Sequence, residues 1–479
     1  MRISVSTFTP ALLLAFGACH DATSPQRGPL SIVAGSGVTD TVLTKLPQAL
    51  VAEVRGNDGR PLNNVLVRFT SVLGTNTLAT ARVAPVTGGA FTSIVADSTD
   101  NRGTARVLVQ LGGTAGAAKI VIDVPELSLQ DTARYTVLPG TARIVIISVR
   151  DTAIATGAHY SLSAAAADIY GNKRPNDAIN FTSRSAVATV DASGSVTAIQ
   201  EGRGTVLVQS GSIRDSAQLS IVPLHELVIW GAGNKLSTVN TDGTQLQLLT
   251  TATDFSLLPQ WSSDGSKVLI YEGDPGINAV ISTVDMNGAR SILTGPNATL
   301  SAASYGRFTR DGSWVYFTGT SKTESGYLTY RVRPDGTQLE RVGPGATEGG
   351  SLRPDISPDG TTEIFQTTGG AIGSMEIATH TIKSLGVTGL FPRFSPDGAQ
   401  IAYLGGPNVA QLYAMNADGT NPRPLTPLNV TYQELGALDW SPDGRWLIAA
   451  TYSELDLVRL SDGVRLPLRL PGFQAAWKP

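Results

Sequence analysis

A single cysteine, Cys19, stands among 479 residues, so no intrachain disulfide framework can hold this chain together. Four scattered histidines argue against a His-rich metal site. Charged residues make up only 16% of the chain, the formal net charge is −3, and Lys and Arg form no cluster. That balance argues against nucleic acid or an anionic lipid surface as the main partner. Beyond the N-terminal segment no apolar run reaches the length of about 18 residues that crossing a bilayer requires. Windows with the period of an amphipathic helix are scarce. Catalytic signatures are missing too: there is no G-x-S-x-G elbow, no H-E-x-x-H and no Walker loop.

What the chain has instead is punctuation. Its 51 Gly and 27 Pro break up short Val/Ile/Thr runs, which reads as an all-β protein. One phrase recurs five times: W-S-S-D-G (Trp261–Gly265), F-T-R-D-G (Phe308–Gly312), I-S-P-D-G (Ile356–Gly360), F-S-P-D-G (Phe394–Gly398) and W-S-P-D-G (Trp440–Gly444). The Gly-to-Gly spacings of 47, 48, 38 and 46 residues match the period of a propeller blade. Ser and Asp bond nearby backbone groups, Pro presets φ, and Gly accepts the left-handed angle, so each phrase predicts a tight turn between strands. The repeated Asp264, Asp311, Asp359, Asp397 and Asp443 are therefore assigned to the turns. Between the copies lies a second set of hairpins, such as Asn240–Gly243 and Asn416–Gly419. Ile377–Ile382 holds the same place without the Gly and makes His380 a turn residue. The terminal Ala475–Pro479 aligns with the start of a repeat, and Glu226–Trp230 supplies the strand that should follow it. Six blades closed by pairing the two ends would leave no open sheet edge.

On these residues the segment 223–479 resembles the TolB-like six-bladed propeller with WD-like repeats. Upstream, Asn57-Asp-Gly-Arg-Pro-Leu-Asn-Asn-Val-Leu-Val-Arg-Phe69 resembles the bacterial Ig-like repeat of invasin and intimin adhesins, over 30–140. Its V-x-V-x-F alternation predicts Val65, Val67 and Phe69 on one face of a strand. Ser183–Gly202 resembles the group-2 bacterial Ig-like domain, over 141–222. The resemblance implies two Ig-like β-sandwich domains followed by the propeller, the sandwiches acting as spacers. Residues 1–18, with Arg2 and the run Pro10–Ala18, read as a signal peptide. The Phe16-Gly-Ala-Cys19 junction resembles a bacterial lipoprotein signal, which implies lipidation of Cys19 and a polar tether over 19–29. A plain secreted protein with an incidental cysteine is the alternative.

Chemistry is sparse. Peptidases of similar architecture carry a hydrolase domain after the propeller, and none is expected here. Lyases of related architecture use a His cluster, whereas this chain has only His159, His225 and His380 after the signal. Asp97–Gly103 reads as a turn and not a calcium loop. No catalytic residue, metal or cofactor is assigned. The residue before each innermost-strand anchor runs Gln260, Arg307, Asp355, Arg393, Asp439, Ala476. Such a ring at the channel is either interblade ion pairing or a polar ligand site. Binding is expected on the face of the longer connections, where Phe255, Tyr305, Tyr327, Glu348, Arg353, Phe391, Tyr432 and Glu434 lie. The candidate site is thus Gln260, Arg307, Arg353, Asp355, Phe391, Arg393 and Asp439. The function these features suggest is a non-enzymatic, lipid-anchored envelope protein, monomeric, on the periplasmic or surface side of the outer membrane. It would present its propeller to a protein or peptide. The alternatives are a carbohydrate-binding or carbohydrate-active protein using Asp355 and Asp439, and an adhesin acting through its Ig-like modules.

Overall fold

The computed structural model describes residues 29–72, 81–251, 256–343, 350–406, 411–433, 438–470 and 472–479. The signal segment, Cys19, Phe255, Glu348 and Glu434 lie outside the described residues. The chain is all-β and divides into two compact units, 1–144 with 166–176, and 145–165 with 177–479. Among the described residues no helix is long and apolar enough to cross a membrane.

In the first unit a four-stranded sheet (Leu30–Ala34, Leu50–Val54, Thr104–Leu111, Ala81–Pro85) and a five-stranded sheet share one core. The second sheet holds Thr39–Thr41, Leu129–Leu138, Gly116–Val124, Leu66–Ser71 and Ile94–Ser98. The alternation in Leu66–Ser71 buries Val67 and Phe69 completely and leaves Arg68 exposed, while Val65 just before it is half-buried. Further along, the buried Asp168 carboxylate ties a turn together. It accepts hydrogen bonds from the N–H groups of Gly140 (2.8 Å), Tyr170 (2.9 Å) and Asn172 (3.0 Å) and from the Asn172 amide (2.8 Å). Burial alone would raise its pKa, but these four donors together hold it below the usual carboxylate range.

In the second unit, Asp151–Ala155, Ile213–Val222, Gly202–Ser210 and Asn180–Ser183 form one sheet, and His159–Ser161, Ser195–Ala198 and Ala188–Val190 another. Six four-stranded antiparallel sheets follow, called blades 1 to 6 here. Blade 1 joins Glu226–Gly231, Lys235–Asn240 and Gln247–Thr251 to the terminal strand Gln474–Trp477, with Leu227 opposite Trp477 and Trp230 opposite Gln474. The innermost strands of blades 2 to 6 are Ser256–Trp261, Leu300–Phe308, Leu352–Ile356, Leu390–Phe394 and Leu438–Trp440. Each touches the next, and Gln474–Trp477 touches both Leu438–Trp440 and Ser256–Trp261, the arrangement of a propeller. Ala153 and Val222 belong to the same buried core as Leu455, Leu466 and Leu468 of blade 6. Arg445 reaches Glu201 at 3.3 Å, and Arg469 pairs with both Asp151 and Glu454. The segments 145–165 and 177–222 therefore pack directly on blade 6.

The recurrent turns hold by the chemistry their residues dictate. In Ser441–Gly444 the Ser hydroxyl donates to Asp443 Oδ1 (2.6 Å) and the Gly N–H to the Ser441 carbonyl (2.9 Å). The N–H of Arg445 then bonds the same Asp oxygen at 3.0 Å. The other four copies repeat this set, and the five glycines take φ between +66° and +76°. Hydrogen bonds from Ser262 and Ser266 hold the Asp264 carboxyl down to about 2. His380 takes a left-handed φ of +57° in its own turn.

One core position breaks the pattern. Opposite the innermost anchor, blades 2, 3, 5 and 6 carry Val268, Val315, Ile401 and Leu447, whereas blade 4 carries Glu363. Glu363 is fully buried, and its Oε1 accepts from Thr329 Oγ1 (2.5 Å) of blade 3 and Ser351 Oγ (2.9 Å). Its Oε2 has no partner among the described residues. Burial pushes this carboxyl up to about 7, against the two hydroxyl hydrogen bonds. A folded-state pKa above the unfolded value means full stability below about 4.5, lost as pH rises through 7. The loss is roughly 3 kcal/mol across that window. Glu363→Gln should flatten that slope and leave the variant more stable than wild type at pH 8 by denaturant titration. An unchanged slope would show that Glu363 is not the titrating group.

Candidate functional site

The inner strands reach the axis through a repeated irregularity. Leu258, Tyr305, Arg353 and Phe391 all adopt left-handed φ, between +53° and +61°, each two residues before the ring position of its blade. The pairing with the neighbouring strand shifts there in all four blades. Pro259, Gly306, Pro354 and Pro392 come next in the chain, and the three prolines have no N–H for the ladder, so a bulge forms and re-aims the ring side chain. A non-glycine residue in this conformation costs on the order of 1 kcal/mol, and such strain clusters at functional sites.

Past the bulge, Gln260, Arg307, Asp355, Arg393 and Asp439 line one cavity of about 350 Å³. Its mouth is formed by Ser263, Arg310, Pro358, Pro396 and Pro442 of the recurrent turns, together with Pro479. The funnel therefore opens on the face of the short turns. This corrects the expectation that ring and rim residues share the face of the longer connections. Arg353 and Phe391 do not line the funnel. Phe391 is fully buried, and the Arg353 guanidinium stacks on its ring (4.1 Å) and on Tyr305 (5.0 Å) while donating to Gln366 Oε1 at 2.6 Å. Tyr432 is likewise buried, within 3.4 Å of Asp456. Beyond the ring, among the described residues, a void of only about 10 Å³ remains between Leu258, Tyr305 and Leu438, close to the minimum for one water.

The alternation of ring charges has a structural basis. Gln260 Oε1 accepts the N–H of Phe308 (3.1 Å), Asp355 Oδ2 that of Phe394 (2.8 Å), and Asp439 Oδ2 that of Trp477 (3.0 Å). Acceptors on blades 2, 4 and 6 thus bind the anchor N–H of blades 3, 5 and 1. Arg307 lies between the two carboxylates, 3.4 Å from Asp439 Oδ1 and 3.8 Å from Asp355 Oδ1. Arg393 is different. It is buried, its Nη1 donates to the Pro392 carbonyl at 3.0 Å, and its Nε has no partner among the described residues. Burial, aided by the charge of Arg307, lowers its pKa to about 9, with Asp355 and Asp439 opposing the shift. Burial likewise raises the pKa of Asp439 against the pull of Arg307. The funnel floor therefore carries a buried, under-satisfied guanidinium, while the carboxylates are engaged in holding blades together.

Among the described residues no three His, Cys, Asp or Glu side chains are placed to hold a metal ion. Sequence patterning found the ring but missed the bulges, whose signal was the in-register Pro259, Gly306, Pro354 and Pro392. No family model and no curated protein matches the chain. Among solved structures it is similar to TolB from Acinetobacter baumannii, at 18% identity over 63% of this chain and 83% of that one, with a TM-score of 0.44. A TolB-type protein from Agrobacterium tumefaciens gives 16% identity over 52% and 91%, with a TM-score of 0.41. A structural-genomics protein of unknown function from Bacteroides thetaiotaomicron gives 11% over 69% and 86%, with a TM-score of 0.37. At these scores the propeller reading rests on the strands themselves.

Arg307→Ala should lower stability by about 3 kcal/mol at pH 7, because Asp355 and Asp439 lose the cation between them. The loss should shrink on acidification, since protonating Asp439 removes the unpaired charge, and Asp439→Asn should recover part of it. A loss independent of pH, read by denaturant titration, would contradict the ion-pair account.

Proposed function

We propose that this chain is a non-enzymatic envelope lipoprotein whose six-bladed, TolB-like propeller binds a segment of a protein or peptide partner in the funnel on its short-turn face. Glu226–Gly231 and Gln474–Trp477 close the ring, and Cys19 carries the lipid. The modules over 30–140 and 141–222 are Ig-like spacers that hold the propeller away from the membrane, on the periplasmic or surface side. The observation that carries this reading is the funnel floor. A cavity of about 350 Å³ ends on Arg393, a buried guanidinium with an unpartnered Nε among the described residues. A peptide brings carbonyl and carboxylate acceptors for the Arg393 and Arg310 guanidiniums that line it, and Trp261, Phe394 and Trp440 at the anchors supply apolar wall. Both ring carboxylates are held by backbone N–H groups and face Arg307, which favours a binding role for the ring over acid–base work.

The full-length chain used as bait in an envelope extract should retain a protein partner in a saturable manner. Arg310, exposed at the funnel mouth, provides the control, because Arg310→Glu reverses the charge there without touching the ring. Loss of the partner in that variant supports the reading, and retention of polysaccharide with no protein overturns it. Separately, Cys19→Ser should move the protein from the membrane fraction to the soluble one. If it stays membrane-bound, the lipid anchor is wrong.

A further inference from the structure

A second and larger cleft, of about 920 Å³, lies within the second unit where the strands between 177 and 222 meet blade 6. Four arginines line it: Arg203, Arg445, Arg459 and Arg465. Three are pinned from behind by carboxylates. Arg459 forks onto both oxygens of Asp462 (2.9 and 2.7 Å). Arg465 donates through Nε (2.9 Å) and Nη2 (2.5 Å) to Asp456, which is fully buried. Arg445 bridges Asp443 (2.6 Å) and Glu201 (3.3 Å). Arg459 also donates through Nη1 to the Glu201 carbonyl (3.4 Å), and Arg465 also bonds the Tyr432 hydroxyl. With five N–H donors each, the pairs fix the plane of the fork and still leave donors over. The Arg203 side chain is exposed and makes no hydrogen bond or salt bridge among the described residues, acting on Asp456 only as a more distant charge. Between these cations the wall is aliphatic, from Val187, Val430, Val464 and Ile199, the last 52% exposed.

The geometry points to a binding site for an acidic peptide segment, and we propose that its carboxylates engage Arg203, Arg459 and Arg465 while its aliphatic side chains cover Ile199 and Val464. Arginine forks match carboxylates in two parallel hydrogen bonds. The volume is far larger than one small anion fills, and the aliphatic wall gives such an anion nothing to cover. No aromatic ring is among the lining residues, so the stacking surface that a sugar ring would use is lacking from this wall. This site is independent of the funnel and survives if the funnel reading fails.

The test uses the full-length chain and a labelled peptide alternating Glu with Val, followed by fluorescence anisotropy. Its Gln/Val counterpart and inorganic phosphate are the comparison probes. The Glu/Val peptide should bind saturably, more weakly as salt rises, and the Gln/Val peptide should not. Arg203→Ala, which removes no side-chain hydrogen bond or salt bridge among the described residues, should weaken binding by about tenfold or more. Arg310→Glu, at the funnel, should leave it unchanged. Absence of saturable binding, an unaffected Arg203→Ala variant, or full displacement by phosphate at equal concentration would each overturn the proposal, the last by marking a simple anion site.

Discussion

The backbone N–H groups at the axis are the constraint on which the propeller depends. Each innermost strand is the edge of its sheet, so N–H groups on its inner side have no neighbouring strand, and a buried donor without a partner costs on the order of 1–3 kcal/mol. Gln260, Asp355 and Asp439 answer this by reaching across three seams to Phe308, Phe394 and Trp477. Two of these acceptors are carboxylates, so their charges need neutralising, and Arg307 lies between them. Arg393 completes the neutral set and lines the cavity, though its Nε is buried without a partner among the described residues. A binding floor thus arises from the same residues that join the blades.

The outer turns work by a different economy of parts. Each Ser-x-Asp-Gly phrase satisfies its own backbone locally, so its aspartates are consumed by structure and not by chemistry. Because those turns are short and stiff, the mouth they frame is pre-shaped, which reduces the ordering cost of binding. On the opposite side, Arg353, Phe391 and Tyr305 stack into a plug. Their side chains are committed to packing, and the channel is a blind funnel among the described residues.

The turns and the all-β class were legible because they depend on local chemistry: a Gly at positive φ, a Ser and an Asp two residues apart, alternation as in Val65–Phe69. The ring residues were legible as a column in the repeat. What sequence reading missed depends on three-dimensional context. Nothing local says toward which side Arg353 points, since a bulge separates it from the ring position Asp355 and the anchor Ile356. Glu363 looks like any strand glutamate until its neighbours are known to be the Thr329 and Ser351 hydroxyls. The packing of Ala153 and Val222 against Leu466 joins segments far apart in the chain, and short alternating strands carry no trace of it.

Amide hydrogen exchange at the anchors tests the central claim most directly, by comparing the wild-type chain with Asp355→Ala. The account predicts that the Phe394 N–H exchanges at least about tenfold faster in the variant, while those of Phe308 and Trp477 stay protected by Gln260 and Asp439. An unchanged Phe394 rate would contradict it, showing that the ring carboxylates do not hold the blades together.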